Sequence, residues 1–200
     1  MVNNKYIVNY FFSLNIINEF YKKNKMKIVI SGGPGTGKTS IINELLSIGQ
    51  IVFHESSREI TTKYKKLGYD QLFLSDPIKF SKILLSNRVK QYKDANKFSS
   101  KNCFFDRGIP DVIAYLDYKK VAYNKAFTIN SQKYKYDMIF IVEPWNEIYK
   151  KDQERYESFN QLIDIDYFIK ETYRGLGYEH NIIPNGTIQE RVDYILNEIQ

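Results

Sequence analysis

The sequence has one cysteine, two histidines and no long uninterrupted apolar run. A lone thiol, Cys103, excludes an intrachain disulfide framework and suits a reducing compartment, so a cytoplasmic setting is expected. His54 and His180 lack metal-ligand spacing, and no zinc-type site is expected from them. The most apolar stretch, residues 6–21, is broken by Asn9, Asn15 and Asn18, whereas a membrane span needs about 20 apolar residues. No block of like charge occurs: the net charge of +6 is spread along the chain, which argues against nucleic acid as partner and for mild attraction of anionic small molecules. There is also no internal repeat, no domain-dividing linker, no Asn-Lys-x-Asp guanine-reading segment and no Leu-Ser-Gly-Gly-Gln signature.

With 200 residues, 43% of them hydrophobic, the chain can bury one substantial core without metals or cross-links. Residues 1–25 stand apart. Val8, Phe12, Ile16 and Phe20 recur at helical spacing beside Ile7 and Phe11, giving an amphipathic stripe. A helix packed on the domain is favoured over one lying on a membrane surface. Because Met26 directly precedes the first core strand, residues 1–25 also read as an extension to a domain spanning 26–200.

From there short apolar runs alternate with longer periodic stretches, as in a parallel sheet covered by helices. Strands are expected over Lys27–Ser31, Ile51–His54, Cys103–Asp106, Met138–Glu143 and Glu179–Ile183. Helices are expected over Lys38–Ser47, Ser57–Lys66, Pro77–Tyr92, Ile109–Tyr123, Phe159–Leu176 and Ile188–Ile199. Each strand ends on residues able to meet a ligand, and in open α/β sheets ligands bind outside the carboxyl ends of the strands. The site is expected at that edge.

Gly32-Gly33-Pro34-Gly35-Thr36-Gly37-Lys38-Thr39 satisfies G-x-x-x-x-G-K-[ST] between a strand and a helix, and Ser40 continues its first helical turn. Glycines let successive amides turn inward toward phosphate oxygens, and the helix N-terminus adds its positive dipole end. Lys38 is expected at the β- and γ-phosphates and Thr39 at Mg²⁺. The ligand expected is a purine nucleoside triphosphate, ATP first and GTP as the alternative.

Three further segments qualify that loop. After the second strand, Glu55 can take a proton from a substrate hydroxyl and Arg58 can bind an anionic group, while Ser56 and Glu59 can form a capping box. After the third strand, Asp106 stands where a metal-holding aspartate belongs and Arg107 beside it can touch phosphates or substrate. After the fourth, residues 143–159 carry Lys150, Lys151 and Arg155 among acidic residues and suit either a lid or a solvated helix. Thr187, after Pro184-Asn185-Gly186, is a helix-cap candidate.

The P-loop, Glu55-Ser-Ser-Arg-Glu-Ile, Phe105-Asp-Arg-Gly-Ile-Pro-Asp and Tyr173-Arg-Gly-Leu-Gly-Tyr together resemble the NadR-type AAA domain. That family is similar to nicotinamide riboside kinase and related to deoxynucleoside and thymidylate kinases. The resemblance runs from about Met26 to the C-terminus. It implies an α/β, three-layer P-loop NTPase fold of the nucleoside/nucleotide kinase type, with five parallel strands in the order 2-3-1-4-5. It also implies that Gln91 lines a substrate pocket. The expected activity is phosphoryl transfer from ATP to a hydroxyl of a small nucleoside-like acceptor, with Lys38, Glu55, Asp106, Arg107 and Arg155 in the chemistry. The rival expectation is an ATP- or GTP-dependent switch that engages a protein, or a lipid surface through residues 1–25.

Overall fold

The computed structural model describes residues 25–69, 71–98, 101–148 and 157–200. The elements, in chain order, are β1 (Lys27–Ser31), α1 (Lys38–Ser47), β2 (Ile51–Phe53), α2 (Ser57–Lys66), α3 (Leu72–Ser75), α4 (Pro77–Asp94), β3 (Cys103–Asp106), α5 (Pro110–Tyr118), α6 (Lys125–Lys133), β4 (Met138–Ile141), α7 (Phe159–Gly175), β5 (Asn181–Ile182) and α8 (Ile188–Glu198). All five strands are parallel and lie in the order β2-β3-β1-β4-β5. The fold is the three-layer P-loop type expected from the sequence.

Strand alternation explains the layers. Ile28, Ile30, Phe104, Phe140 and Val142 face one side of the sheet, where they meet Ile41, Ile42 and Leu45 of α1 and Val192 and Ile195 of α8. Val29, Cys103, Phe105, Ile139 and Ile141 face the other, against Leu84 and Leu85 of α4, Val112 and Leu116 of α5 and Ile165, Ile169 and Tyr173 of α7. A strand covered on both faces has no polar side, which is why these read as continuous apolar runs. The adjacent Phe104 and Phe105 are both buried because they point into different layers.

The structure departs from the sequence reading in several local features. The helix expected to reach Tyr123 stops at Tyr118. Lys120 there takes the left-handed conformation (φ 55°), its amide bonds Asp117 O at 2.9 Å and that of Val121 bonds Leu116 O at 2.9 Å. This is the helix-ending motif usually built on glycine, and a lysine in its place gives no sequence signal. Asn124 then caps the separate helix α6 through Ala126 N at 3.0 Å. β5 is only two residues long. Ser56 precedes α2 but makes no capping bond, and its hydroxyl oxygen is buried without a partner. The capping boxes form instead at Ser158 with Gln161 and at Thr187 with Glu190. The amphipathic stripe at residues 7–20 lies outside the described residues. Among those described, no helix is long and apolar enough to cross a membrane.

Candidate active site

β1 delivers Ser31 to the carboxyl edge of the sheet, and the chain then wraps from Gly32 into α1. Gly32 has φ 141°, and a Cβ added to it would lie 2.2 Å from Val142 O. Only glycine lets the loop leave β1 this close to the end of β4. Gly37, at φ 92°, serves the other end of the loop: a Cβ there would sit 2.9 Å from Arg191 Nη1. Lys38 is 5% exposed, and its ammonium donates to Gly33 O at 2.5 Å and Thr36 Oγ1 at 3.3 Å. Burial, and then the neighbouring Arg107, pull its pKa down to about 7 against the opposing pull of Asp106, Glu55 and Asp111. Thr39 and Ser40 are exposed on the first turn of α1.

The neighbouring strand, β3, ends at Asp106, paired in register with Ile30. Arg107 follows with φ 72°, a backbone state that disfavours any residue with a Cβ by about 1–2 kcal/mol. Surrounding bonds hold it there. Its amide donates to Ile30 O at 3.0 Å. Its guanidinium donates to Gly32 O at 2.7 Å and pairs with Glu55 Oε1 at 2.8 Å. The same group lies 5.2 Å from the centre of the Tyr115 ring. A strained arginine between Asp106 and the P-loop, held through its Nε and Nη1, is the kind of backbone outlier that collects at functional sites.

Glu55, just past β2, receives a second arginine: Arg88 Nη2 of α4 lies 3.8 Å from it, while Arg88 Nη1 donates to Gly108 O at 2.8 Å. Burial pushes the Glu55 carboxyl up, but Arg107, Arg88, Lys38 and the Ser57 hydroxyl together outweigh it, and the group titrates below the usual glutamate range. Asp106 goes the other way, raised by burial and by Glu55 despite Lys38 and the two arginines. Below this pair sits Asp111, fully buried, accepting from Ser31 Oγ (2.5 Å), Gly108 N (2.8 Å), Tyr173 Oη (2.6 Å) and Arg107 Nη1 (3.4 Å). Through Asp111, helices α5 and α7 are tied to the floor of the P-loop.

The oxygens present fit Mg²⁺. Asp106 Oδ1 is buried and has no hydrogen-bond partner, and Thr39 offers a hydroxyl on the adjacent helical turn. Hard oxygen donors few in number suit an ion that completes its shell with phosphate oxygens and water. Among the described residues no group of three or more His, Cys, Asp or Glu gathers as a self-sufficient metal cage.

On the far side of the loop, Glu143 past β4 and Asp166 of α7 share Lys170, each 2.5 Å from its ammonium. Asp166 is raised by burial in spite of Lys170. Arg191 of α8 is 4% exposed and donates to Thr36 O at 3.2 Å.

The structure thus brings the loop residues 32–40, Glu55, Asp106 and Arg107 to one edge. Gln91 lies one helical turn beyond Arg88 and donates to His54 O at 2.8 Å, steadying the backbone just before Glu55. Arg58 is exposed on the first turn of α2. Arg155, with Lys150 and Lys151, lies outside the described residues. Sequence reasoning passed over Arg88, Arg191 and the Asp166–Lys170 pair, and held Asp111 only as the last residue of a motif, without a role. A cation within the apolar stripe of α4, beside the buried Leu84 and Leu85, was the available signal for Arg88.

A family model described as an AAA domain matches residues 27–191. No curated protein matches the sequence. Among solved structures, deoxyadenosine kinase from M. mycoides with products bound superposes with a TM-score of 0.61 at 20% identity, covering 87% of this chain and 98% of its own. Thymidylate kinase from Ehrlichia chaffeensis gives 0.63 at 14% identity, covering 88% of this chain and 100% of its own. The NadR protein in complex with NR gives 0.65 at 14% identity, covering 90% of this chain but 51% of its own. At such identities the likeness establishes the fold.

Proposed function

Since the chain belongs to this AAA domain family, the NadR-type P-loop family, we propose that it is a kinase that transfers the γ-phosphoryl group of ATP to a hydroxyl of a small nucleoside-like acceptor. One observation carries the reading. Sheet order sets Asp106, with its unpartnered oxygen, beside the P-loop strand, and Glu55, held ionised between Arg107 and Arg88, one strand further out. That is the sequence of parts in-line phosphoryl transfer needs: phosphates, metal ligand, base.

The P-loop amides and Lys38 hold the phosphates in place. Mg²⁺ between Thr39 and Asp106 would neutralise charge shared by the β- and γ-phosphoryl oxygens. The acceptor hydroxyl gives its proton to Glu55 as its oxygen bonds to the γ-phosphorus. The bond from that phosphorus to the bridging oxygen breaks, and ADP leaves. Arg107 and, from the lid segment, Arg155 offset negative charge at the transferring group, while Arg58 and Gln91 contact the acceptor. Residues 26–200 form the catalytic domain and residues 1–25 an extension to it. Because Glu55 rests against two arginines, it orients the acceptor and takes its proton late, once the oxygen has begun to acidify on bonding to phosphorus.

The test is incubation with Mg-ATP or Mg-GTP and a panel of nucleosides and ribosides, followed by mass spectrometry. A phosphate added to at least one acceptor is expected, more from ATP than from GTP. ADP formation with every acceptor unchanged would overturn the kinase reading in favour of a nucleotide-dependent switch.

A further inference from the structure

The P-loop touches two buried arginines, and they are not equivalent. Arg107 donates to Gly32 O at the start of the loop and is neutralised by Glu55 and Asp111. Arg191 donates to Thr36 O at the end of the loop, is 4% exposed, and has a buried Nε with no hydrogen-bond partner. Among the described residues no carboxylate pairs with it. The nearest acid in sequence, Glu190, is committed elsewhere, accepting from Thr187 N and Oγ1 at 2.8 Å each. Val192 beside it is fully buried, which anchors this turn of α8 in the core. An uncompensated cation in such a place destabilises a folded protein. Its presence at a loop built for anions calls for a functional reason.

Peptide geometry supplies one. In a trans peptide the carbonyl and the following amide point in opposite directions. A guanidinium on Thr36 O therefore sits behind the Gly37 N–H and polarises it, since hydrogen bonds in series strengthen one another. Arg191 also fills the space a Cβ on Gly37 would need, so the loop cannot relax outward there without displacing it.

We propose that Arg191 is a positioning residue of the nucleotide site, a buried cation without a carboxylate partner among the described residues that braces the P-loop from its outer side, strengthens the Gly37 amide as a phosphate donor, and gains a counter-charge when a polyphosphate binds. The inference rests on the reading of the P-loop as a triphosphate site. It also explains why an arginine 155 residues away in sequence reaches the loop at all.

The experiment compares wild type, Arg191→Met and Arg191→Lys for melting temperature without ligand and for affinity toward Mg-ATP and inorganic tripolyphosphate. Arg191→Met is expected to melt at the same temperature or higher, yet to bind both ligands about 10- to 100-fold more weakly, the range Coulomb attraction gives for one buried charge near the phosphates at an effective dielectric of about 20. Arg191→Lys should recover most of that affinity. A lower melting temperature with unchanged affinity would make Arg191 a plain strut and overturn the proposal. Weakened ATP binding with tripolyphosphate unaffected would also overturn it, placing Arg191 at the base or ribose. If wild type bound neither ligand, the triphosphate reading itself would fall and this inference with it; if wild type bound both and Arg191→Met bound them equally, only this inference would fall.

Discussion

On the β2 and β3 side of the P-loop, buried charges answer one another: Glu55 lies between Arg107 and Arg88, and Asp111 takes four donors including Arg107. On the phosphate side they do not. Among the described residues Lys38 rests on a carbonyl and a hydroxyl, Asp106 keeps one oxygen without a partner, and Arg191 has a carbonyl alone. Paired charges in a low-dielectric interior hold one another in fixed geometry, whereas unpaired ones raise the energy of the folded chain until something of opposite sign arrives. On the proposed function, the difference separates a preformed acceptor side, whose task would be orientation, from a phosphate side whose affinity would come from groups left unsatisfied.

The largest effect is expected from Glu55→Gln, which keeps shape but removes the proposed base. It should lower kcat by about 10²–10⁴-fold in a steady-state assay with an acceptor that the wild type phosphorylates, with KM for Mg-ATP nearly constant. Unchanged turnover would remove Glu55 from the chemistry.

Asp111→Asn attacks the paired side from beneath. It leaves Arg107 short of a counter-charge and should reduce the free energy of unfolding by about 3–5 kcal/mol, read from urea denaturation. A loss below about 1 kcal/mol would match an ordinary hydrogen bond and would mean that charge does not hold this side.

Titration distinguishes the two carboxyls next. Glu55, depressed in the folded state, contributes stability that is present above its unfolded pKa, 4.5 as the ordinary value, and lost as pH falls through the lower folded pKa. Asp106, raised above an ordinary 3.8, contributes in the opposite sense: its share is present at acid pH and lost as pH rises through the folded pKa. Carboxyl NMR should show Glu55 titrating below 4.5 and Asp106 above 3.8, and added Mg-ATP should move Asp106 downward. The reverse order would erase the contrast.

The smallest effect is expected from the titration of Lys38. With a folded pKa of about 7 against 10.5, its burial weakens the folded state fully below about 7 and not at all above 10.5. Polyphosphate bound as proposed would restore its proton. Calorimetry in buffers of different ionisation enthalpy should find proton uptake growing from near zero at about pH 6 to about one proton per nucleotide at about pH 8. Constant uptake across that range would place Lys38 in a more polar setting than the one described.

Legibility in the sequence follows chain distance. The P-loop was readable because its chemistry is contiguous, and Asp106 and Arg107 because a doubly buried strand delivers them. Strand alternation made the layers readable, and the family resemblance supplied the strand order. The Ser31–Asp111 bond spans 80 residues and the Thr36–Arg191 bond 155, so neither partner marks the other locally. Arg88 is one cation among several on a lysine-rich helix, and only the packing of α4 brings it to Glu55. The break after Tyr118 was hidden because Lys120 occupies a position that glycine usually announces.

The most direct test of the central claim, that phosphate binding and acceptor chemistry are carried by separable charge groups, is calorimetric titration of Mg-ATP into wild type, Lys38→Met and Glu55→Gln. The account predicts that Lys38→Met loses about 10²-fold or more in affinity, in the range for a charged group that meets phosphate directly, while Glu55→Gln binds as wild type does. Equal losses in the two variants, or none in Lys38→Met, would contradict it.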